Sequence, residues 1–280
     1  MGMYFPYFRG KQYELIAIRE SAELLALSGF VPIIEPVKES FNSLFFEDLQ
    51  EHRTISVGVS LREDVALQDA VNLVEAHEGR KITFVHAGFS QGRELAERLS
   101  QHEGDFRHVF IDEHCGKLYQ RHFRTAERIL LRDGFQRRTN REYPSTEFFS
   151  DLHITYEDEN VGGFGDFLIV GDDYSESGGP AYAVAIHLTY IDSQRDDEMH
   201  VHHFVSNRQD TPTDPAGKFG EALAKLVTEV NRPGTEVEKT EAVESFIELS
   251  ARAHYPGLGS VKKLSMLHHI QTLANYFSDR

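Results

Sequence analysis

From residue 11 to residue 28 the apolar positions Leu15, Ile18, Ala22 and Leu25 recur every three or four residues and give way to Gly29. That is the spacing of one buried helix face closed by a glycine stop, so a helix is predicted over 11–28. The run FVPIIEPV over 30–37 is apolar apart from Glu35 and carries prolines near both ends. It reads as a short buried strand, and Ser40 stands where it can cap a helix over 40–50. The alternation then repeats. Strands are predicted over 55–61 (ISVGVSL), 81–89 (KITFVHAGF), 107–112 (RHVFID) and 128–135 (RILLRDGF), with helical spacing over 64–77, 92–100, 117–123 and from 145 to 152. Strand–helix units in such a row predict a parallel α/β sheet or barrel.

Beyond residue 158 the pattern changes. GDFLIV (165–170), YAVAIHLTYI (182–191) and MHVHHFVS (199–206) read as strands, joined by short polar connectors without helical spacing. A parallel crossover needs a longer connection, so these three are predicted to form an antiparallel meander. The last third has helical spacing over 216–230, 238–254 and 260–277. The expected fold is therefore α/β, a (βα) barrel-like, TIM-barrel-like sheet with an antiparallel meander in its second half and C-terminal helices; an open mixed sheet is the rival. Residues 1–230 are expected to form the barrel-like domain and 231–280 a helical region packed on it, with NRPGTEVEK as the linker.

In the strand 182–191 one face carries Tyr182, Val184, Ile186, Leu188 and Tyr190, and the other Ala183, Ala185, His187 and Thr189. The bulky face is expected to pack against helices and the small, polar face to point inward. With the following turn centred between Ser193 and Asp196, opposed positions sum to about 389. That register pairs His187 with His202 and Thr189 with His200, and sends His203 to the apolar side.

Functional groups of parallel α/β sheets collect at the carboxyl ends of the strands. Those ends are predicted to carry Glu35, Arg62, His86, Asp112 with Glu113, Arg132 with Asp133, and Asp172 with Asp173. Glu35 and Asp112 lie within apolar runs, where an acid needs a basic partner such as Arg132 or a cation. The candidate catalytic residues are Glu35, Asp112, His187 and His202, with His200 at the margin. Arg9, Lys11, Arg132 and Asp172 are the candidates for holding substrate. Carboxylates at one barrel end suit a hard divalent ion, adjacent imidazoles suit a transition metal, and the same groups serve as acid and base without metal; the residues leave the choice open, so a divalent metal stays a candidate and the cofactor unknown.

No GxGxxG or GxxxxGK follows a strand, which leaves dinucleotide and P-loop readings without support. HYPGLGSVKK is similar to the hairpin of helix-hairpin-helix DNA-binding modules, with Lys262 and Lys263 as phosphate contacts, and is equally a helix stop and restart. The net charge of −16 and pI near 5.4 oppose adhesion to nucleic acid or anionic membrane. A single cysteine, Cys115, excludes an internal disulfide and suits a reducing cytoplasm. With no run of about 18 apolar residues, no membrane span is expected, and the aromatic opening MGMYFPYF does not read as a secretory leader.

The opening MYFPYFRGKQYELIAIRE leading to VPIIEPV, the segment GGPAYAVAIHLTYID, and HHFVSN followed by AGKFGEAL resemble an uncharacterised bacterial protein family. That family is itself similar to the phage-type "beta family protein" group, which shares the aromatic-proline start, the basic-Gly-Lys turn and the I-P-x-I-E strand. The resemblance implies a bacterial cytoplasmic protein of accessory or mobile-element genes, with phage defence as its setting, and carries no activity with it. It matches Arg9, Lys11, Glu14 and Glu35. The functional expectation is a hydrolase-type enzyme acting on a phosphate-bearing or nucleotide-related substrate. The alternatives are a noncatalytic adaptor binding a partner protein, or nucleic-acid binding through the PGLG helix pair.

Overall fold

In the computed structural model the described residues are 4–35, 57–61, 81–86, 105–111, 127–139, 142–172 and 181–279. Among them are the strands β1 (Tyr4–Phe8), β2 (Ile33–Ile34), β3 (Val57–Leu61), β4 (Lys81–His86), β5 (Asp105–Ile111), β6 (Glu127–Arg132), β7 (Thr146–Ser150), β8 (Gly163–Asp166), β9 (Ala185–Asp192) and β10 (Glu198–Val205). The longer helices are α1 (Gln12–Glu20), α2 (Ala22–Ser28), α3 (Pro215–Val230), α4 (Glu241–Ala251) and α5 (Leu258–Ser278). The chain divides into two compact units, Met1–Arg132 with Thr155–Asp166, and Asp133–Ile154 with Phe167–Arg280.

The first unit is built on a curled, all-parallel sheet. The four-strand run β3–β4–β5–β6 continues through β8 and β1 to the two-residue β2, which pairs back to β3. All five residues of β1 are buried, as expected of a parallel strand covered on both faces. The helix predicted over 11–28 is two helices. Ser21 turns its hydroxyl back to the carbonyl of Ala17 (2.8 Å), a local bond that competes with the helical ladder and breaks it there. The predicted stop holds: Gly29 adopts φ 69°, and Phe30 N–H reaches Leu25 O while Gly29 N–H reaches Ala26 O, the paired bonds of a left-handed helix end.

The TIM-like expectation is corrected by β8. Placed in the sequence reading within an antiparallel meander, it is instead parallel and lies between β6 and β1. Gly165 permits this close approach, since a Cβ there would meet the Phe5 carbonyl oxygen and the Leu131 side chain. Among the described residues the ladder holds seven parallel strands and no antiparallel member, and the chain is not a full (βα)8 barrel. It is a mixed α/β protein with a curled parallel sheet and a separate antiparallel one.

That second sheet, in the second unit, has the order β7–β10–β9. Its third strand, β7 (TEFFS), falls where helical spacing was predicted from residue 145. Ladder pairing with β10 decides the conformation over a Ser-Thr-Glu opening that imitates a helix start. The bulky face of β9 packs as expected. Val184, Ile186, Leu188 and Tyr190 join Phe204 against Phe219, Leu223 and Leu226 of α3 and Phe246 of α4. Each such buried side chain contributes roughly 1.5–3 kcal/mol. Asp214 caps α3 by accepting from Gly217 N–H (2.9 Å), and Thr240 caps α4. The PGLG segment stops one helix and starts the next: Gly257 takes φ 87° before α5, and Lys262 and Lys263 are half-buried on that helix.

Helix α5 also serves β9, an edge strand whose outer backbone groups need partners. His268 Nε2 lies 2.7 Å from Thr189 O, and His269 Nδ1 lies 3.0 Å from Thr189 Oγ1; both imidazoles are fully buried. Thr240 Oγ1, 2.8 Å from His268 Nδ1, completes the chain. Burial holds the His268 imidazole down to about 4, with the Thr189 carbonyl opposing and the neighbouring His269 assisting that shift.

Candidate functional site

The connection between β9 and β10 decides which histidines meet. Asp192 O accepts from Arg195 N–H (3.0 Å) and Asp197 N–H (3.1 Å), with Asp196 and Asp197 both left-handed at φ 53° and 61°. Aspartate tolerates that region better than most side chains. The turn is therefore centred on Arg195, one half-step from the predicted centre, and opposed residues sum to 390. A shift of one residue moves a whole strand face to the other side of the sheet. His203, not His202, lies opposite His187; His202 lies opposite Leu188 and His200 opposite Tyr190.

On that face four further residues converge. His187 Nδ1 and His203 Nδ1 are 2.7 Å apart, and His203 Nε2 is 3.1 Å from Glu147 Oε1 of β7. Glu147 Oε2 in turn takes the Arg138 guanidinium at 2.7 Å. Tyr143 stacks on His203 (centroids 4.6 Å, 23°) and meets His187 edge-on, while Phe135 closes on His187 at 4.9 Å. The Tyr143 hydroxyl accepts from Arg138 N–H at 3.0 Å, so the segment before β7 is tied to the same cluster. The His203 side chain is wholly buried, and His187 is half-buried as a residue.

Burial holds both imidazoles in the neutral form. His187 is pushed well below its usual range by desolvation and then by the neighbouring His203. His203 is pushed down to about 4, by desolvation first and by the Arg138 charge second. Burial raises the Tyr143 phenol, against Arg138 and Arg137. A neutral imidazole carries one N–H. With Glu147 accepting, the His203 proton sits on Nε2 and leaves a lone pair on Nδ1. His187 then donates from Nδ1 and bears its own lone pair on Nε2, and it makes no other hydrogen bond among the described residues. The result is a directed chain, Arg138–Glu147–His203–His187, ending in an unprotonated imidazole nitrogen.

The remaining candidates lie elsewhere. His202 stacks on Phe204 (5.4 Å, 13°) and its Nε2 is 3.8 Å from Glu229 Oε1 of α3, on the opposite face from His187. Desolvation lowers it while the Glu229 charge opposes. His202 borders a cleft of about 760 Å³, with Lys225, Thr228 and Glu229 across from it. His200 is bound to Glu198 at 3.0 Å. Asp172 is exposed and its N–H donates to Asp133 Oδ2 at 2.8 Å, a contact between residues distant in the chain.

In the first unit Glu35 follows β2, at the carboxyl end where the sequence put it, and Arg9 follows β1, a strand that the sequence reading did not predict. Arg9 Nε lies 3.5 Å from Glu35 Oε2, and Arg9 N–H donates to the buried Glu14 carboxylate at 2.6 Å. Lys11 precedes α1 and is half-buried, its carbonyl accepting from Glu14 and Leu15 N–H. Arg132 is exposed at the end of β6, in register with Asp166. Asp166 is buried and accepts the Tyr4 phenol at 2.7 Å; burial first, and the Asp166 carboxylate second, raise that phenol well above its usual range. Asp112 lies outside the described residues, as do Arg62, Glu113 and Asp173.

Sequence reasoning missed Glu147, Tyr143 and Arg138. Their only signal is the alternation Glu147–Phe148–Phe149, which reads as a strand once the helical start is discounted. Among the described residues no group of three or more His, Cys, Asp or Glu side chains could hold a metal ion, and no helix is long and apolar enough to cross a membrane. Comparison with known protein families, with curated proteins and with solved structures finds no match.

Proposed function

We propose that the protein is a hydrolase-type enzyme in which His187 Nε2 is the general base, acting on a phosphate-bearing or nucleotide-related substrate. The observation that carries this reading is the 2.7 Å contact between His187 and His203, continued at 3.1 Å to Glu147. A general base needs a lone pair available at neutral pH and a partner that orients it and accepts the charge it gains. His187 has the first through its burial and the second through His203 and Glu147. When Nε2 takes a proton from an attacking water, His187 becomes an imidazolium that keeps its Nδ1 proton, and the hydrogen bond to His203, itself held by Glu147, orients the ring and stabilises that charge. Arg137 and Arg138, on the segment that carries Tyr143, favour an anionic substrate. The bacterial cytoplasmic setting and the place in phage defence come from the resemblance of the opening and of the strand segments.

The test is turnover of p-nitrophenyl phosphate and bis(p-nitrophenyl) phosphate by the purified chain. His187→Gln is expected to cost roughly a hundredfold or more in kcat, and His202→Gln little. Activity retained in His187→Gln, or no turnover of either probe by the parent, sinks this reading.

A further inference from the structure

We propose that the chain leading into β7, residues 135–139 and 142–145, is a strap that covers the His187–His203 pair, is latched by Arg138 on Glu147, and uncovers His187 when the latch opens. The strap meets the pair through aromatic rings near its two ends. Phe135, itself buried, stands edge-on to His187 at 4.9 Å. Tyr143 stands edge-on to His187 at 4.8 Å and stacks on His203 at 4.6 Å. Three rings thus pack on His187, and a substrate reaches it when one of them moves. His203 is fixed in the β9–β10 ladder, whereas Phe135 and Tyr143 lie outside helices and strands. Between these two, Gln136, Arg137, Arg138 and Thr139 are exposed, so little apolar burial holds the middle of the strap down.

Arg138 is the latch. Its guanidinium reaches Gln136 Oε1 at 2.8 Å and Glu147 Oε2 at 2.7 Å, and its N–H donates to the Tyr143 hydroxyl at 3.0 Å. One residue therefore ties the two halves of the strap to each other and both to β7. Its partner Glu147 is the carboxylate that orients His203, so the cover and the base share an anchor. The ion pair is partly open to water, with Arg138 35% and Glu147 14% exposed, which makes it a weak and salt-sensitive fastening. The His203 imidazole is held down by burial first, then by the Arg138 charge and by His202; His187, Tyr143 and Glu147 are the other groups facing that ring. Unlatching relieves the burial and removes the Arg138 charge, so the uncovered pair is the more basic one. The link to turnover rests on the reading of His187 as the base; the cover and its latch stand on the contacts alone.

Carbethoxylation of the full chain by diethyl pyrocarbonate at neutral pH, followed at His187 by peptide mass spectrometry with the exposed His254 as internal reference, reports the uncovering. Arg138→Met is expected to speed the His187 reaction about two- to fivefold, the range over which an ion pair of this exposure shifts an opening equilibrium, and Arg138→Lys to restore part of the protection. Salt at about 1 M should accelerate the parent comparably by screening the pair, and Arg138→Met not at all. The His203 imidazole should titrate higher in Arg138→Met than in the parent. The salt comparison needs no variant, so it keeps the test alive should Arg138→Met loosen the fold. A His187 rate that neither Arg138→Met nor salt changes overturns the strap. Faster modification without turnover of the phosphate probes supports the strap and sinks the hydrolase reading; turnover with an unchanged rate does the reverse.

Discussion

The Nδ1 atom of His187 lies 2.7 Å from the Nδ1 atom of His203, straight across the β9–β10 ladder. One of the two must donate and the other accept, and Glu147 at the far nitrogen of His203 settles which. At neutral pH, His203 is expected as the Nε2–H tautomer and His187 as the Nδ1–H tautomer. Long-range ¹H–¹⁵N correlation distinguishes these directly. The reverse assignment for His203 would remove the chain on which the proposed base depends.

Acid should loosen the second unit before it protonates ordinary carboxylates. His203 and His268 titrate near about 4 in the folded chain, against 6.5 for the free side chain. The unfolded chain therefore binds more protons between those values. The stabilisation is complete above about pH 6.5 and is lost as pH falls from there toward 4, at most about 3 kcal/mol for each histidine. Urea unfolding at pH 7.5, 6.5, 5.5 and 5 should show it, and His268→Gln should flatten the slope. A midpoint that stays level from 6.5 to 5 contradicts the assignment.

Two glycines should respond with opposite sign to alanine. In Gly165→Ala the new methyl meets the Phe5 carbonyl and the Leu131 side chain within the parallel ladder, and a loss of about 1–3 kcal/mol is expected. Gly220 lies on the exposed face of α3 with nothing within 4 Å of a Cβ, so Gly220→Ala should gain about 0.5–1 kcal/mol. Thermal unfolding of the two variants beside the parent decides both.

Asp214 caps α3 while itself sitting at φ 51°. Asp214→Ala removes the acceptor for Gly217 N–H and keeps a side chain in the left-handed region, for a loss of about 1–2 kcal/mol. Asp214→Gly removes the acceptor but relieves the backbone, so it should cost clearly less. Equal losses in a denaturant series would show that the backbone conformation contributes nothing.

Much was legible in the residues alone. The bulky face of β9, the C-terminal helices, the Gly29 stop and the carboxyl-end position of Glu35 all follow from side-chain spacing and local backbone preference. Glu147 was illegible because a Ser-Thr-Glu start satisfies helix rules until β10 offers a ladder. The pairing of His187 with His203 was out of reach because it hangs on where a five-residue turn, Ser193 to Asp197, is centred.

By itself, then, the sequence determined an α/β chain with helices at its end and histidines in a strand, because periodicity is a local property. Only the tertiary structure decided that β8 joins β6 and β1 in parallel, that β7 is a strand, and which histidine meets His187. Those outcomes depend on partners distant in the chain and on a register in which one residue exchanges the two faces of a sheet.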